Sequence, residues 1–438
     1  MTRPPLPFVG AAALCGVPTA VRTSGARSYV PVDSDGHDPP YNARVRVQIV
    51  SSKVGGGHQS VAEALRQATL RVTGGAAQVW VDDLYVQHSR FPASAFPWMY
   101  ATITARSPRL WRMIFDATNR PPAGPRLNWI GDVLGGPSLK HLIQMRQPDT
   151  VVTVLPGTTG FVARSVLGSG VRANVEVVIT DWADVHLGWA STFPAQYTVP
   201  TENAAQTLTS VGIRAASVDV NGFPVREQFS TLQHGPAARL AARQRLDLPP
   251  DRFLILLMVG AEGSPAALAH LEALARTPLD AEILVVCGRN RRLYRRVKRL
   301  SGVNPIRPLA FVENIADLMN ASDVLVTKTG GVTLAEGFSA GLPVIGFDPL
   351  PGQEEGNARY IVQAGAAELA TSPAHLVYIA TELRWRPDRL AAIAAQGRKL
   401  STPAAADITA EKIVRRIENR PGMPKRTEHP EPARFVER

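Results

Sequence analysis

Cysteine is nearly absent from this sequence: Cys15 and Cys287 are the only two in 438 residues. They lie far apart, one of them in an irregular N-terminal stretch, so neither a disulfide framework nor a zinc cluster is expected, and a reducing compartment suits the chain. Acidic residues are in deficit too, 37 against 48 Lys and Arg, giving a formal charge of +11. That excess points to an anionic partner: nucleic acid, an anionic lipid surface or a phosphorylated substrate. No run of about 18 apolar residues occurs, which argues against a transmembrane helix. The apolar stretch from Pro7 to Val21 has a secretory leader's composition, but Pro7 and Pro18 interrupt it and only Arg3 precedes it as a cation. Export is therefore not expected. Two common glycine-loop signatures are missing as well. In "VQIVSSKVGGGHQSVAEAL", Val47 to Leu65, three glycines part an apolar run from a helical pattern. Neither the Gly-Lys-Ser/Thr of a triphosphate loop nor the further glycine of a dinucleotide fingerprint follows them.

What is present is the composition of an ordinary globular protein, 45% hydrophobic and 19% charged, with length for two domains. Residues 1–43 are rich in Pro, Gly, Ser and Asp without periodicity and read as an irregular extension. From Arg44, β-branched runs alternate with helical patterns: "VRVQIV", "AQVWVDD", "DTVVTVL", "VEVVITD" and "QYTVP". The plan then repeats with "RFLILLMVG", "AEILVVCG", "DVLVTKTGG" and "LPVIGFDP". Strands separated by helices imply an α/β fold with mostly parallel sheets covered on both faces. Gly222 and Pro224 break both patterns in "VDVNGFPVREQF", which reads as the linker. The expected division is an extension at 1–43, α/β domains at 44–222 and 223–372, helices at 373–419 and a basic, disordered tail at 420–438.

The most informative segment is "DVLVTKTGGVTLAEGFSAGLPVIGFDPLPGQEEGN". An apolar strand runs into Gly330 and Gly331, and a helix begins at about Val332. Glycines let backbone approach a ligand closely, and the first N–H groups of a helix point at it, which makes an anion site suited to a diphosphate. Glu336, one turn deeper on the face of Val332, is placed to accept hydrogen bonds from two ribose hydroxyls. Asp348, Gln353, Glu354 and Asn357 follow the next strand as a polar cluster able to bind sugar hydroxyls.

Over residues 309–367 the sequence resembles the donor-binding half of glycosyltransferase family 28, and within it the monogalactosyldiacylglycerol synthases and bacterial processive diacylglycerol glycosyltransferases. The likeness extends over most of residues 45–370, with "GGGH", "VITDW", "NGFPVR", "MVGAEG" and "VVCGRN" in the family's order. It implies two facing Rossmann-like domains with a cleft between them (GT-B architecture), and an inverting transfer without metal or cofactor from a UDP-hexose in the C-terminal half. Carried over, Gly330 and Gly331 face the diphosphate and Glu336 the ribose. Phe311 and Val312 line the uracil, and Gln353 and Glu354 bind the sugar. Arg226 approaches the cleft, and Gly260 and Ser264 flank a loop near the diphosphate. Ala261, where the family often has another glycine, weakens that last assignment. The Asp-x-Asp of "DSDGHD" lies in the irregular leader and reads as solvated acids rather than as a metal site.

The three glycines now have a role. Gly55, Gly56 and Gly57 form a strand-to-helix turn with Val61, Ala64, Leu65 and Ala68 on the buried stripe, which puts His58 at the cleft rim. By resemblance His58 acts on the acceptor hydroxyl; a cap or phosphate ligand without proton transfer fits the residue equally. Asp181, at the end of an apolar strand, is either the base itself or the group that orients a catalytic histidine. His186 reads as a surface-loop residue.

Residues 90–126 hold six arginines against one acid, interleaved with aromatics. Trp98, Arg106, Arg109, Trp111 and Arg112 suit a headgroup-level membrane contact, although single-stranded nucleic acid uses the same residue types. The Arg292, Arg295, Arg296 and Arg299 face reads as solvated surface. The expectation is a cytoplasmic enzyme, peripheral to the inner face of the plasma membrane, with a lipid acceptor and no nucleic acid. Competing readings are a UDP-sugar isomerase of the same architecture and a non-catalytic sugar- or lipid-binding protein. The choice of sugar and the oligomeric state stay open.

Overall fold

The computed structural model describes residues 45–52, 56–87, 89, 93–120, 138–258 and 265–420. The expected extension at 1–43, nearly all of the tail, Gly55, Gly260 and Ser264 lie outside these residues. The described chain holds two six-stranded sheets in which every strand pairing is parallel. The first comprises β1 (Val45–Ser51), β2 (Ala77–Asp83), β3 (Thr150–Thr153), β4 (Asn174–Val178), β5 (Gln196–Val199) and β6 (Val218–Val220) in the order β2-β1-β3-β4-β5-β6. The second comprises β7 (Phe253–Met258), β8 (Ala281–Val286), β9 (Ile306–Leu309), β10 (Val324–Thr327), β11 (Val344–Phe347) and β12 (Ala367–Ala370) in the order β12-β11-β10-β7-β8-β9. Central strands such as "FLILLM" are apolar without alternation because helices cover both faces of a parallel sheet.

Helices used below are α1 (Gly57–Val72), α2 (Phe96–Arg106), α3 (Pro108–Thr118), α4 (Arg291–Val297), α5 (Gly331–Ser339), α6 (Glu355–Gln363) and α7 (Ala405–Glu418). The expected stripe of α1, Val61, Ala64, Leu65 and Ala68, is fully buried. On α4, Leu293 and Val297 are buried while Arg292, Arg295 and Arg296 face out, as a solvated face requires.

Three strands went unread in the sequence: β6, β9 and β12. Each is an edge strand of three or four residues, largely half-exposed, so none carries the apolar run that marks a central strand. "VDV", read as linker, is in fact β6, paired with β5.

Strand order positions the site. In the first sheet the chain moves outward from β1 to β2, then returns to place β3 on the other side of β1. The second sheet repeats this, with β8 and β9 on one side of β7 and β10 on the other. A crevice opens at the carboxyl ends of strands where the order reverses, and ligands bind there. The Gly56 turn follows β1, and Gly330–Gly331 follows β10, so both glycine motifs stand at reversal points.

Both sheets belong to one compact unit, and a single apolar cluster runs through it from Val47 and Leu65 to Leu325 and Leu334. Trp182 lies in its middle, stacked on Phe223 at 5.4 Å and edge-on to Phe338 at 5.7 Å. Late in the chain, α7 returns to the first sheet. Arg416 pairs with both oxygens of Glu176 on β4 at 3.0 and 2.9 Å, and Lys412 with Asp219 on β6 at 2.9 Å. Among the described residues no helix is long and apolar enough to cross a membrane.

Candidate active site

Segments from the first sheet converge on the start of α5. A Cβ on Gly331 would sit 2.4 Å from the Thr180 carbonyl oxygen, so only glycine admits the helix start this close to the end of β4. Trp182 Nε1 donates to the Gly331 carbonyl at 3.1 Å. Gly57 faces the Val332 side chain. The two reversal points thus meet across one cleft.

Gly56, at a left-handed φ of 73°, turns the chain into α1 and carries His58 beneath the end of β3, where the ring is hydrogen-bonded to the Val154 backbone. Its buried Nδ1 has no partner among the described residues. A ring that donates through one nitrogen presents the other as an acceptor. Burial lowers the His58 pKa from 6.5 to about 4, so the ring is neutral at pH 7 and able to take a proton. Asp181 follows β4, and its Oδ2 accepts from Trp189 Nε1 at 2.7 Å. Burial raises its pKa to about 6, while the Trp189 hydrogen bond pulls the other way. The sign is testable. If catalysis needs ionised Asp181, kcat/KM falls with unit slope below about pH 6 and is level above it. In Asp181→Asn the acid limb of the residual rate is expected to drop toward His58's value of about 4. An unmoved limb assigns it to another group.

Glu336 does not stand open in the cleft. Its Oε1 accepts from Ser60 Oγ at 3.1 Å and from Arg226 Nε and Nη2 at 3.2 and 2.9 Å. Burial raises its pKa, with Arg226 opposing. The Arg226 guanidinium also lies over the Phe229 ring, 5.7 Å from its centroid.

Around the β11–α6 loop, Gln353 Oε1 accepts from Tyr100 Oη at 3.1 Å. Glu354 Oε2 accepts the Leu350 N–H at 2.9 Å, and a Cβ on Gly330 would come 3.4 Å from its Oε1. Asn357, expected to bind sugar, is otherwise engaged: its Oδ1 accepts the Trp182 N–H at 2.9 Å and its Nδ2 donates to the Thr329 carbonyl at 3.2 Å. The side chain braces the two halves. Phe311 is 55% exposed, with the Arg289 guanidinium 4.5 Å from its ring centroid, and Val312 packs against the core.

His186 lies in the β4–β5 loop but is half-buried. It caps a turn, its Nδ1 accepting the Gly188 N–H at 2.9 Å, and its ring meets Phe115 and Thr118. In the α2–α3 hairpin, Trp98 is 72% exposed and Met113 68%. Trp111, expected at a membrane surface, instead turns inward, edge-on to Tyr100 at 4.9 Å. Arg106 and Arg109 face out, but Arg112 pairs with Glu355 at 2.6 Å and Asp116 at 3.0 Å. Sequence reasoning missed Ser60, Tyr100 and the bracing role of Trp182. Only Trp182 had a signal, its place beside Asp181 in "VITDW".

The family model for monogalactosyldiacylglycerol synthase matches residues 58–225, and that of the glycosyltransferase family 28 C-terminal domain matches residues 254–380. Residues 254–380 thus match the family 28 C-terminal domain, and residues 58–225 match the monogalactosyldiacylglycerol synthase model. The chain is 30% identical to a chloroplastic monogalactosyldiacylglycerol synthase of Spinacia oleracea, over 75% of this chain and 64% of that protein, so it spans less than two thirds of that relative. Against a processive diacylglycerol beta-glucosyltransferase of Bacillus subtilis the identity is 26%, over 86% of this chain and 97% of the relative. Among solved structures, MurG of Acinetobacter baumannii aligns with a TM-score of 0.53 at 17% identity, over 85% of this chain and 99% of that one. Anabaena HepE in complex with UDP-glucose gives 0.53 at 15%, over 85% and 100%. A Listeria monocytogenes protein assigned as a UDP-N-acetylglucosamine 2-epimerase gives 0.56 at 15%, over 87% and 98%. The GT-B fold of family 28 is therefore this chain's fold, and fold alone does not separate transferase from epimerase.

Proposed function

We propose that this chain transfers a hexose from a UDP-sugar to the hydroxyl of diacylglycerol or a related lipid, with inversion at the anomeric carbon. The observation that carries the reading is a neutral His58, its buried Nδ1 unpartnered among the described residues, next to Gly57, which faces Val332 at the start of α5 across the cleft. The acceptor oxygen attacks the anomeric carbon, its proton passes to His58 or to ionised Asp181, and the bond from that carbon to the β-phosphate oxygen breaks. Backbone N–H groups at the start of α5, with Arg226, stabilise the departing diphosphate without a metal. Glu336 takes the ribose, Phe311 and Val312 the uracil, and Gln353 and Glu354 the hexose. Sequence relatives named as diacylglycerol glycosyltransferases support a lipid acceptor. An epimerase has no use for one. Labelled UDP-hexoses incubated with the protein and diacylglycerol dispersions test the reading. Label in the organic phase supports it; label kept on a rearranged UDP-sugar selects the epimerase, and unchanged label the binding protein.

A lipid acceptor calls for contact with a membrane, at the inner face of the plasma membrane in this proposal. The α2–α3 hairpin offers Trp98, Met99, Leu110 and Met113 as exposed apolar groups beside Arg106 and Arg109. Each basic side chain near an anionic surface adds about 1 kcal/mol, and the apolar part resists salt. Changing Arg106 and Arg109 together to Ser is expected to cut binding to anionic vesicles by about thirtyfold. Arg112 is left intact because it also holds Glu355. Unchanged sedimentation would exclude the hairpin and direct attention to the basic face of α4.

A further inference from the structure

The inner side of the α2–α3 hairpin reaches a single loop of the other half. Tyr100 Oη donates to Gln353 Oε1 at 3.1 Å, Arg112 Nη1 donates to Glu355 Oε2 at 2.6 Å, and the Phe115 ring packs on the Gly352 backbone. These contacts span 352–355, between β11 and α6. Glu354 is fixed within its own half, accepting from Leu350 N–H and donated to by Thr329 Oγ1 at its carbonyl. Gln353 is held from across the cleft.

The Tyr100 ring is itself well held, 6.3 Å from Phe96 and edge-on to Trp111 at 4.9 Å. A tyrosine so packed has little freedom in where its hydroxyl points. A side-chain amide has an acceptor oxygen and a donor nitrogen on opposite sides. With one end of the amide bound to Tyr100, the other end is turned away and held in direction.

We propose that Tyr100 is a positioning residue that sets hexose selectivity: its hydroxyl anchors the Gln353 amide and fixes the place and plane in which it meets the sugar. This rests on the reading of Gln353 and Glu354 as the hexose-binding pair. Glucose and galactose differ in the orientation of one hydroxyl. A hydrogen-bonding group fixed in place favours one epimer, whereas an amide free to swing reaches either and discriminates less.

The test is Tyr100→Phe, which removes one oxygen and leaves the ring packing. kcat/KM is measured with UDP-galactose and with UDP-glucose against diacylglycerol, in parallel with the Kd for UDP, which carries no hexose. The expected result is a ratio of the two kcat/KM values moving about tenfold toward one, from the misalignment of one hydrogen bond, with the UDP Kd unchanged. In a Gln353→Ala background the same change is expected to have no further effect on the ratio. An unmoved ratio, a shift that persists without Gln353, or a wild-type ratio already near one would overturn the proposal. A loss of UDP affinity in Tyr100→Phe also overturns it, since it would mark a structural role. A wild-type protein that glycosylates diacylglycerol from neither sugar overturns the functional reading itself.

Discussion

His58→Ala is expected to lower kcat by about 10²- to 10⁴-fold, the usual worth of a positioned general base, while the Kd for UDP changes little. The asymmetry follows from where the ring acts. A proton acceptor interacts with the acceptor hydroxyl as it becomes an alkoxide, and contributes little to holding the donor in the ground state. The structure sharpens this, because a ring lowered to about 4 stays unprotonated at neutral pH, with its buried Nδ1 unpartnered among the described residues. If UDP affinity falls and kcat does not, His58 is a phosphate ligand and Asp181 becomes the base.

Glu336→Ala is expected to weaken UDP binding by at least about tenfold. Hydrogen bonds to a charged acceptor are worth roughly 1.5–3 kcal/mol each, and two ribose hydroxyls would lose theirs. Two effects reduce the loss. Without a donor, Oε1 already accepts from Ser60 and Arg226, so ribose exchanges with them rather than adding to them. Arg226, once released, also places a cation nearer the diphosphate, but one ion pair in a partly solvated cleft contributes only about 1 kcal/mol. The hydrogen bonds therefore dominate. Isothermal titration with UDP checks the direction, and an unchanged Kd would remove Glu336 from the ribose.

How far such residues can be read from sequence depends on the range of the interactions that fix them. The helix-start positions of His58 and Gly331 were legible because a strand, glycines and a helix start are local signals. The buried stripe of α1 was legible for the same reason. Ser60 and Glu336 are 276 residues apart, and nothing near either one announces the other. Asn357 belonged to a polar cluster that suggested sugar binding, yet its amide is engaged by Trp182 and Thr329, partners visible only once the two sheets face each other. Trp111 failed for a related reason. Composition placed an aromatic among arginines, but the helix pairing that turns it toward Tyr100 is tertiary. Edge strands β6, β9 and β12 escaped because half-exposed short strands need no apolar run.

The central step is one displacement across one cleft, with the acceptor hydroxyl attacking the anomeric carbon directly while His58 or Asp181 takes its proton. The anomeric configuration of the glycolipid made from an α-linked UDP-hexose and diacylglycerol tests this most directly, read from the coupling constant of the anomeric proton by NMR. A single direct displacement gives the β-glycoside. An α-glycoside would mean net retention, which a single back-side displacement does not give, and would contradict it.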